Sequence, residues 1–138
     1  TSALDVTSQK QVVEEMLKIR DAYRTAILIV SHNMGVISHM ADRILVMHNG
    51  MVVEQGSREQ VIHHPMHLYT RNLIHAIPTM DGPVPKGVKS FPRVKHFQGC
   101  PYREICSRKT EICDSQLPPD REVAPGHWVK CWNAGEEE

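Results

Sequence analysis

No apolar run in this 138-residue chain approaches the roughly 20 residues a helix needs to span a bilayer. Net charge is absent too, since sixteen Lys and Arg balance sixteen Asp and Glu. That balance excludes a global basic excess for nucleic acid, and no polybasic run offers itself to an anionic membrane. The opening residues Thr1, Ser2 and Asp5 are polar, so no secretory signal is visible. An initiator methionine is also missing, as expected of a fragment or a processed piece. Nowhere does G-x-x-x-x-G-K-S/T occur, the glycine-rich turn whose backbone N–H groups cradle nucleotide phosphates. Cysteine is lacking before residue 100 and then appears four times. That shift is the sharpest in the composition.

The first part of the chain has clear periodicity. Val12, Val13, Met16, Leu17, Ile19 and Tyr23 recur at helical spacing and predict a helix from Ser8 to about Tyr23, with Thr7 or Ser8 as N-cap and Glu14–Lys18 as an i,i+4 pair. Thr25 to Val30 is short, continuous and apolar, the pattern of a buried strand. A short helix is expected over Asn33 to Met40. Arg43 to Met47 and Met51 to Glu54 then read as strands around an Asn49-Gly50 hairpin turn, because both turn residues tolerate positive φ. Ser57 and Gln60 form a capping box that opens a helix to about His63. Pro65 ends it, and a further helix is expected from His67 to Ile77. Pro78, Gly82, Pro83, Pro85 and Gly87 mark a linker over residues 78–97. Residues 98–138 are expected to form a small irregular cysteine-rich module ending in an acidic tail.

Three constellations carry chemistry. His32 ends the apolar run, at the kind of strand tip where open α/β sheets bind ligands. A neutral imidazole there can accept from water with one nitrogen and donate to a phosphate oxygen with the other. Cys100, Cys106, Cys113 and Cys131 have the spacing C-x5-C-x6-C-x17-C, which is neither the C-x2-C knuckle of most zinc sites nor a common ferredoxin pattern. Spacing alone leaves iron–sulfur, zinc and disulfides open. Trp128 and Trp132 bracket Cys131 and could shield a bound group, or simply fill the core of the module. His63, His64 and His67 cluster around Pro65 without a nearby carboxylate in sequence, and read as a polar helix junction.

These residues sit in a wider pattern. Thr1-Ser2-Ala3-Leu4-Asp5 resembles the D-loop of ATP-binding cassette (ABC) ATPases, and Ser31-His32 resembles their H-loop. Ala41 to Met47 and Gly50 to Gly56 resemble the strand–hairpin–strand that follows in that family. His64-Pro65-Met66-His67-Leu68-Tyr69-Thr70-Arg71 is similar to a segment of dipeptide, oligopeptide and nickel importer ATPases, with Leu68 where proline is usual. The tail, with Cys100-Pro101 and Gly126 to Cys131, is similar to the C-terminal cysteine region of that subfamily.

The resemblance implies an α/β fold: the C-terminal part of a P-loop ABC-ATPase domain over residues 1–77, a linker, and the cysteine module. It implies that His32 is the switch histidine contacting the γ-phosphate and the attacking water. Ser2, Asp5 and Ser31 would lie at the nucleotide and dimer interface. Partners would be a second ATPase subunit and membrane permease subunits, at the cytoplasmic face of the inner membrane, with no nucleic acid. ATP and Mg2+ belong to that whole assembly. Related importer ATPases carry a 4Fe–4S cluster at their C-terminal cysteines, so the resemblance favours a cluster at Cys100, Cys106, Cys113 and Cys131, with zinc as the alternative. The chain would start just after the family's Walker B aspartate and catalytic glutamate. Phosphoryl transfer depends on positioning and charge stabilisation, so without these groups, the P-loop, the Q-loop and the signature helix the chain is expected to be inactive alone. A second reading is a stand-alone iron–sulfur or zinc interaction module with a vestigial ATPase remnant.

Overall fold

A computed structural model describes residues 6–77 and 98–135. The chain divides into two compact units, Thr1–Ala41 and Asp42–Glu138. The sequence reading placed its divide in the linker 78–97, a stretch that lies outside the described residues. Among those residues no helix is long and apolar enough to cross a membrane.

The first unit holds two helices, α1 (Val6–Tyr23) and α2 (Met34–Met40), which touch each other. Because α1 already begins at Val6, Thr7 and Ser8 lie inside it rather than capping it. Lys18 donates to Glu15 at 2.6 Å, one residue nearer than the expected i,i+4 partner. Asn33 caps α2, its side-chain oxygen accepting from the backbone N–H of Gly35 and Val36, which satisfies two otherwise orphaned donors. Between the helices the expected strand does not form. Residues 25–30 take no regular secondary structure, and Leu28 and Val30 are 91% and 93% exposed. A strand exists only through its ladder, and this segment belongs to none of the ladders among the described residues. Apolar content predicted burial that the ladder alone could have supplied.

The second unit is built on a four-stranded antiparallel sheet. Its strands are β1 (Arg43–His48), β2 (Met51–Ser57), β3 (Arg121–Ala124) and β4 (His127–Val129), in the order β1-β2-β4-β3. The β1–β2 hairpin turns at Asn49 and Gly50, with φ of 48° and 79°, the double positive φ that a tight hairpin needs. Alternation in β1 sends Ile44, Val46 and His48 inward and Arg43, Leu45 and Met47 outward. On the core side lie Val53, Val61 and Val129, all essentially inaccessible to solvent. Burying each such side chain contributes about 1.5–3 kcal/mol.

Helix α3 (Arg58–His63) opens on the full capping box between Ser57 and Gln60. Helix α4 (Leu68–His75) is capped by His67, whose Nδ1 accepts from the N–H of Tyr69 at 3.0 Å. The region after the linker is less irregular than its sequence suggests. It carries a short 3-10 turn at Arg103–Ile105, helix α5 (Ile112–Ser115) and two strands. β4 lies against β2 with Glu54 opposite Val129 and Gln55 opposite Trp128, so the cysteine-bearing segment completes the sheet begun by the hairpin.

Candidate functional site: a cavity lined by four cysteines

The four cysteines lie far apart in sequence, yet all line one partly open cavity. Cys100 and Cys113 are buried, whereas Cys106 and Cys131 are half-buried. Two backbone devices place them. The N–H of Cys100 donates to the carbonyl of Cys113 at 2.8 Å, fixing one buried thiol to the start of α5. Gly99 permits that approach, since a Cβ there would collide with the Cys113 carbonyl and lie 2.6 Å from the Asp114 carbonyl oxygen. The 3-10 turn then leads to Cys106, whose carbonyl accepts from the N–H of Lys109 at 3.3 Å. Cys131 follows directly after β4 and Lys130, and the N–H of Lys130 donates to Val53 at 2.8 Å. Each cysteine therefore hangs from a different anchored segment of the second unit.

Apolar and aromatic side chains pack around the site. Cys100, Tyr102 and Cys113 form a buried cluster, against which Leu68, Tyr69, Ile105, Cys106 and Trp132 pack. Trp132 lines the cavity, and its indole N–H donates to the carbonyl of Gln116 at 3.2 Å. Trp128 sits instead on β4. Behind the thiols, Tyr102 contacts the rings of His48, His67 and Tyr69 at centroid distances of 5.4, 5.6 and 5.5 Å, and Asn72 donates to its hydroxyl at 2.7 Å.

Burial sets the protonation states. It pushes the Cys100 thiol up to about 11, opposed by a hydrogen bond from the Tyr102 backbone and reinforced by the neighbouring sulfurs of Cys113, Cys131 and Cys106. The Cys106 and Cys131 thiols are likewise raised, first by burial. Cys100, Cys106 and Cys131 are therefore protonated at neutral pH, and a thiolate-bound group would release protons on entering. Burial also lowers His67 to about 4, with neighbouring His48 adding to the effect, so its imidazole is neutral.

Does this donor set suit a thiolate-bound group? Sulfur-only ligation by four convergent cysteines matches the soft donors that iron–sulfur clusters and zinc take. Among the described residues, however, no three His, Cys, Asp or Glu side chains are gathered so as to hold a single metal ion. A tetrahedral zinc with bonds of about 2.3 Å draws its sulfurs to within about 4 Å of one another. A cluster is itself several atoms wide and accepts thiolates set farther apart.

The other expected site residues stand elsewhere. Ser31 accepts from the N–H of Asn33 at 3.0 Å, forming a turn that precedes α2 and carries His32 exposed to solvent. Ser2 and Asp5 lie outside the described residues. The three histidines around Pro65 separate: His67 is buried as a helix cap, while His63 and His64 are exposed, each near Glu59 at 3.8 and 3.9 Å.

Sequence reasoning missed one pair entirely. Glu54 is 1% exposed, and its carboxylate accepts from the N–H of Met66 at 2.8 Å and of His67 at 3.0 Å. His127, equally buried, meets the same carboxylate through Nε2 at 2.8 Å. This knot ties the His67 segment, which borders the cavity, to both β2 and β4. Its signal was a lone acid in the run Met51-Val52-Val53-Glu54, since an ion inside a strand needs buried partners.

Residues 53–113 match the family described as the oligopeptide/dipeptide transporter, C-terminal region. Relatives extend the likeness along the chain. A probable peptide ABC transporter ATP-binding protein of Sinorhizobium fredii is 31% identical over 99% of this chain and 42% of its own length. The oligopeptide transport ATP-binding protein OppD of Salmonella typhimurium is 32% identical over 99% of this chain and 42% of its own. A Bacillus subtilis oligopeptide transport ATP-binding protein, AppD, is 36% identical, with 99% and 43% covered. The chain is thus similar along nearly its whole length to ATP-binding proteins of peptide ABC transporters, with residues 53–113 matching the model of their C-terminal region. It spans about two fifths of the length of the curated relatives it matches.

Proposed function

We propose that this chain is the C-terminal part of an ATP-binding subunit that couples ATP hydrolysis to import of dipeptides or oligopeptides. The observation that carries the reading is the alignment of peptide-transport ATP-binding proteins over 99% of the chain. In this reading His32 is the switch histidine, and Ser2, Asp5 and Ser31 serve the nucleotide and dimer interface. Exposure of His32, immediately before a capped helix, supports its availability to a nucleotide held by other residues. A second ATPase subunit and membrane permease subunits complete the assembly at the cytoplasmic face of the membrane, and ATP with Mg2+ binds there. The chain alone, without a phosphate cradle, is inactive. Calorimetry with Mg-ATP should give no saturable heat in the micromolar range, and such heat would overturn this. In a full-length subunit containing this region, His32→Ala should abolish ATP turnover while leaving nucleotide binding in place.

The cavity's occupant belongs to the same proposal. Cys100, Cys106, Cys113 and Cys131 hold a 4Fe–4S cluster, which would supply either one-electron chemistry or a covalent staple. The four thiols lining one cavity support it, and the resemblance to importer ATPases favours a cluster over zinc. Anaerobic purification followed by metal and sulfide analysis should find about four iron and four sulfide per chain. One zinc per chain, without sulfide, would replace this reading.

A further inference from the structure

One reciprocal contact joins two of the loops that line the cavity. The guanidinium Nη2 of Arg108 donates to the carbonyl of Asn133 at 2.8 Å, and the side-chain Nδ2 of Asn133 donates back to the carbonyl of Arg108 at 2.7 Å. Both residues line the cavity and both are part-buried. Arg108 lies inside the turn closed by the hydrogen bond from Lys109 to Cys106, so its carbonyl is fixed relative to that thiol. Asn133 follows Cys131 by two residues and precedes buried Ala134, which anchors the second loop. The two half-buried cysteines therefore sit on the two loops that this reciprocal pair joins, while the two buried ones hang from the 98–100 segment and α5.

We propose that Arg108 and Asn133 form a clasp that closes the mouth of the four-cysteine cavity and governs entry of soft metal species and thiol reagents. The clasp rests on the cavity itself, and only its role toward a bound cluster depends on the function proposed above. Two hydrogen bonds between one pair of residues hold the loops in a single relative position, whereas one bond would leave a hinge. Opening the clasp frees the two loops, and the cysteines they carry, together.

The test compares the whole chain with Arg108→Met, Arg108→Lys, Asn133→Ala and the double variant Arg108→Met/Asn133→Ala. Alkylation by iodoacetamide at one fixed pH is followed for each cysteine by peptide mass spectrometry. Asn133→Ala, which leaves the Arg108 charge in place, should speed labelling of Cys106 and Cys131 by about tenfold, the effect of losing a part-buried hydrogen bond. Arg108→Met should speed it less, because it also removes a positive charge beside the reacting thiolates. Cys100 should stay slow, and the double variant should scarcely exceed either single one. Arg108→Lys, which keeps a donor and the charge, should fall back toward the wild-type rate. Unchanged labelling in both single variants overturns the clasp. So does a uniform rise at all four cysteines, which reports unfolding and not opening. Anaerobic loading with iron and sulfide runs alongside. Failure of the wild-type chain to load removes the cluster reading, while the labelling pattern still decides the clasp. If it loads, the variants should surrender iron to a chelator faster by a similar factor, and unchanged release counts against the clasp.

Discussion

At the scale of single residues, the Glu54 carboxylate decides most. It is fully buried and accepts from two backbone donors and from His127. Removing it leaves all three donors without a partner in a dry interior, so Glu54→Ala should destabilise the second unit by about 3–5 kcal/mol, read as a shift of its denaturant midpoint. Glu54→Gln retains one acceptor and should lose less. A second residue-scale effect follows from His67, lowered to about 4 by burial and by His48. Its folded value lies below its unfolded value near 6.5, so the unfolded chain binds more protons between these limits. The contribution to stability is therefore full above pH 6.5 and is lost as pH falls toward 4, by up to about 3 kcal/mol. His67→Asn keeps a capping acceptor for Tyr69 and should flatten the pH dependence of unfolding across that window. The sequence hinted only at Glu54, as a lone acid in an apolar strand, and not at its partners. Glu54 and His127 are 73 residues apart, and no periodicity announces a contact of that range.

At the scale of elements, what is local was legible and what depends on distant partners was not. The Asn49-Gly50 turn, the Ser57–Gln60 capping box and α2 stand where residue chemistry put them. Each is decided within a few residues by φ preferences or by side chains satisfying backbone donors. Convergence of the four cysteines was expected from the resemblance and not from their spacing. The segment 25–30 failed because a strand is a property of pairs. β4 escaped notice for the opposite reason: three residues give no alternation to read, and pairing with β2 makes the strand. Gly99 illustrates the same limit, since only the fold brings the backbone of Cys113 and Asp114 against its Cα. Gly99→Ala forces that backbone away and breaks the Cys100–Cys113 hydrogen bond. The expected cost is roughly 1–3 kcal/mol, measured by thermal unfolding, with faster alkylation of buried Cys100 as its local signature.

At the scale of the whole molecule, the two units differ in how well each hides its apolar surface. In the second, strands, helices and the cysteine segment enclose Val53, Val61, Val129 and Tyr102. In the first, Leu28 and Val30 stand almost wholly in water, with Ile19 and Tyr23 also exposed at 53% and 77%. Unpaired backbone carrying exposed apolar side chains is a template for association with another chain. Repulsion from net charge does not oppose that pairing, because the formal charge is zero at neutral pH. The isolated chain should therefore self-associate at micromolar concentration, detected as a rising mass by light scattering with increasing protein. Leu28→Lys/Val30→Lys should shift the chain toward monomer, since two exposed charges on the segment repel their copies and cost the fold little at positions already in water. Leu45→Lys/Met47→Lys, at exposed positions of β1 in the second unit, is the control. If association followed that pair instead, the outer face of β1 and not the segment 25–30 would be the adhesive surface.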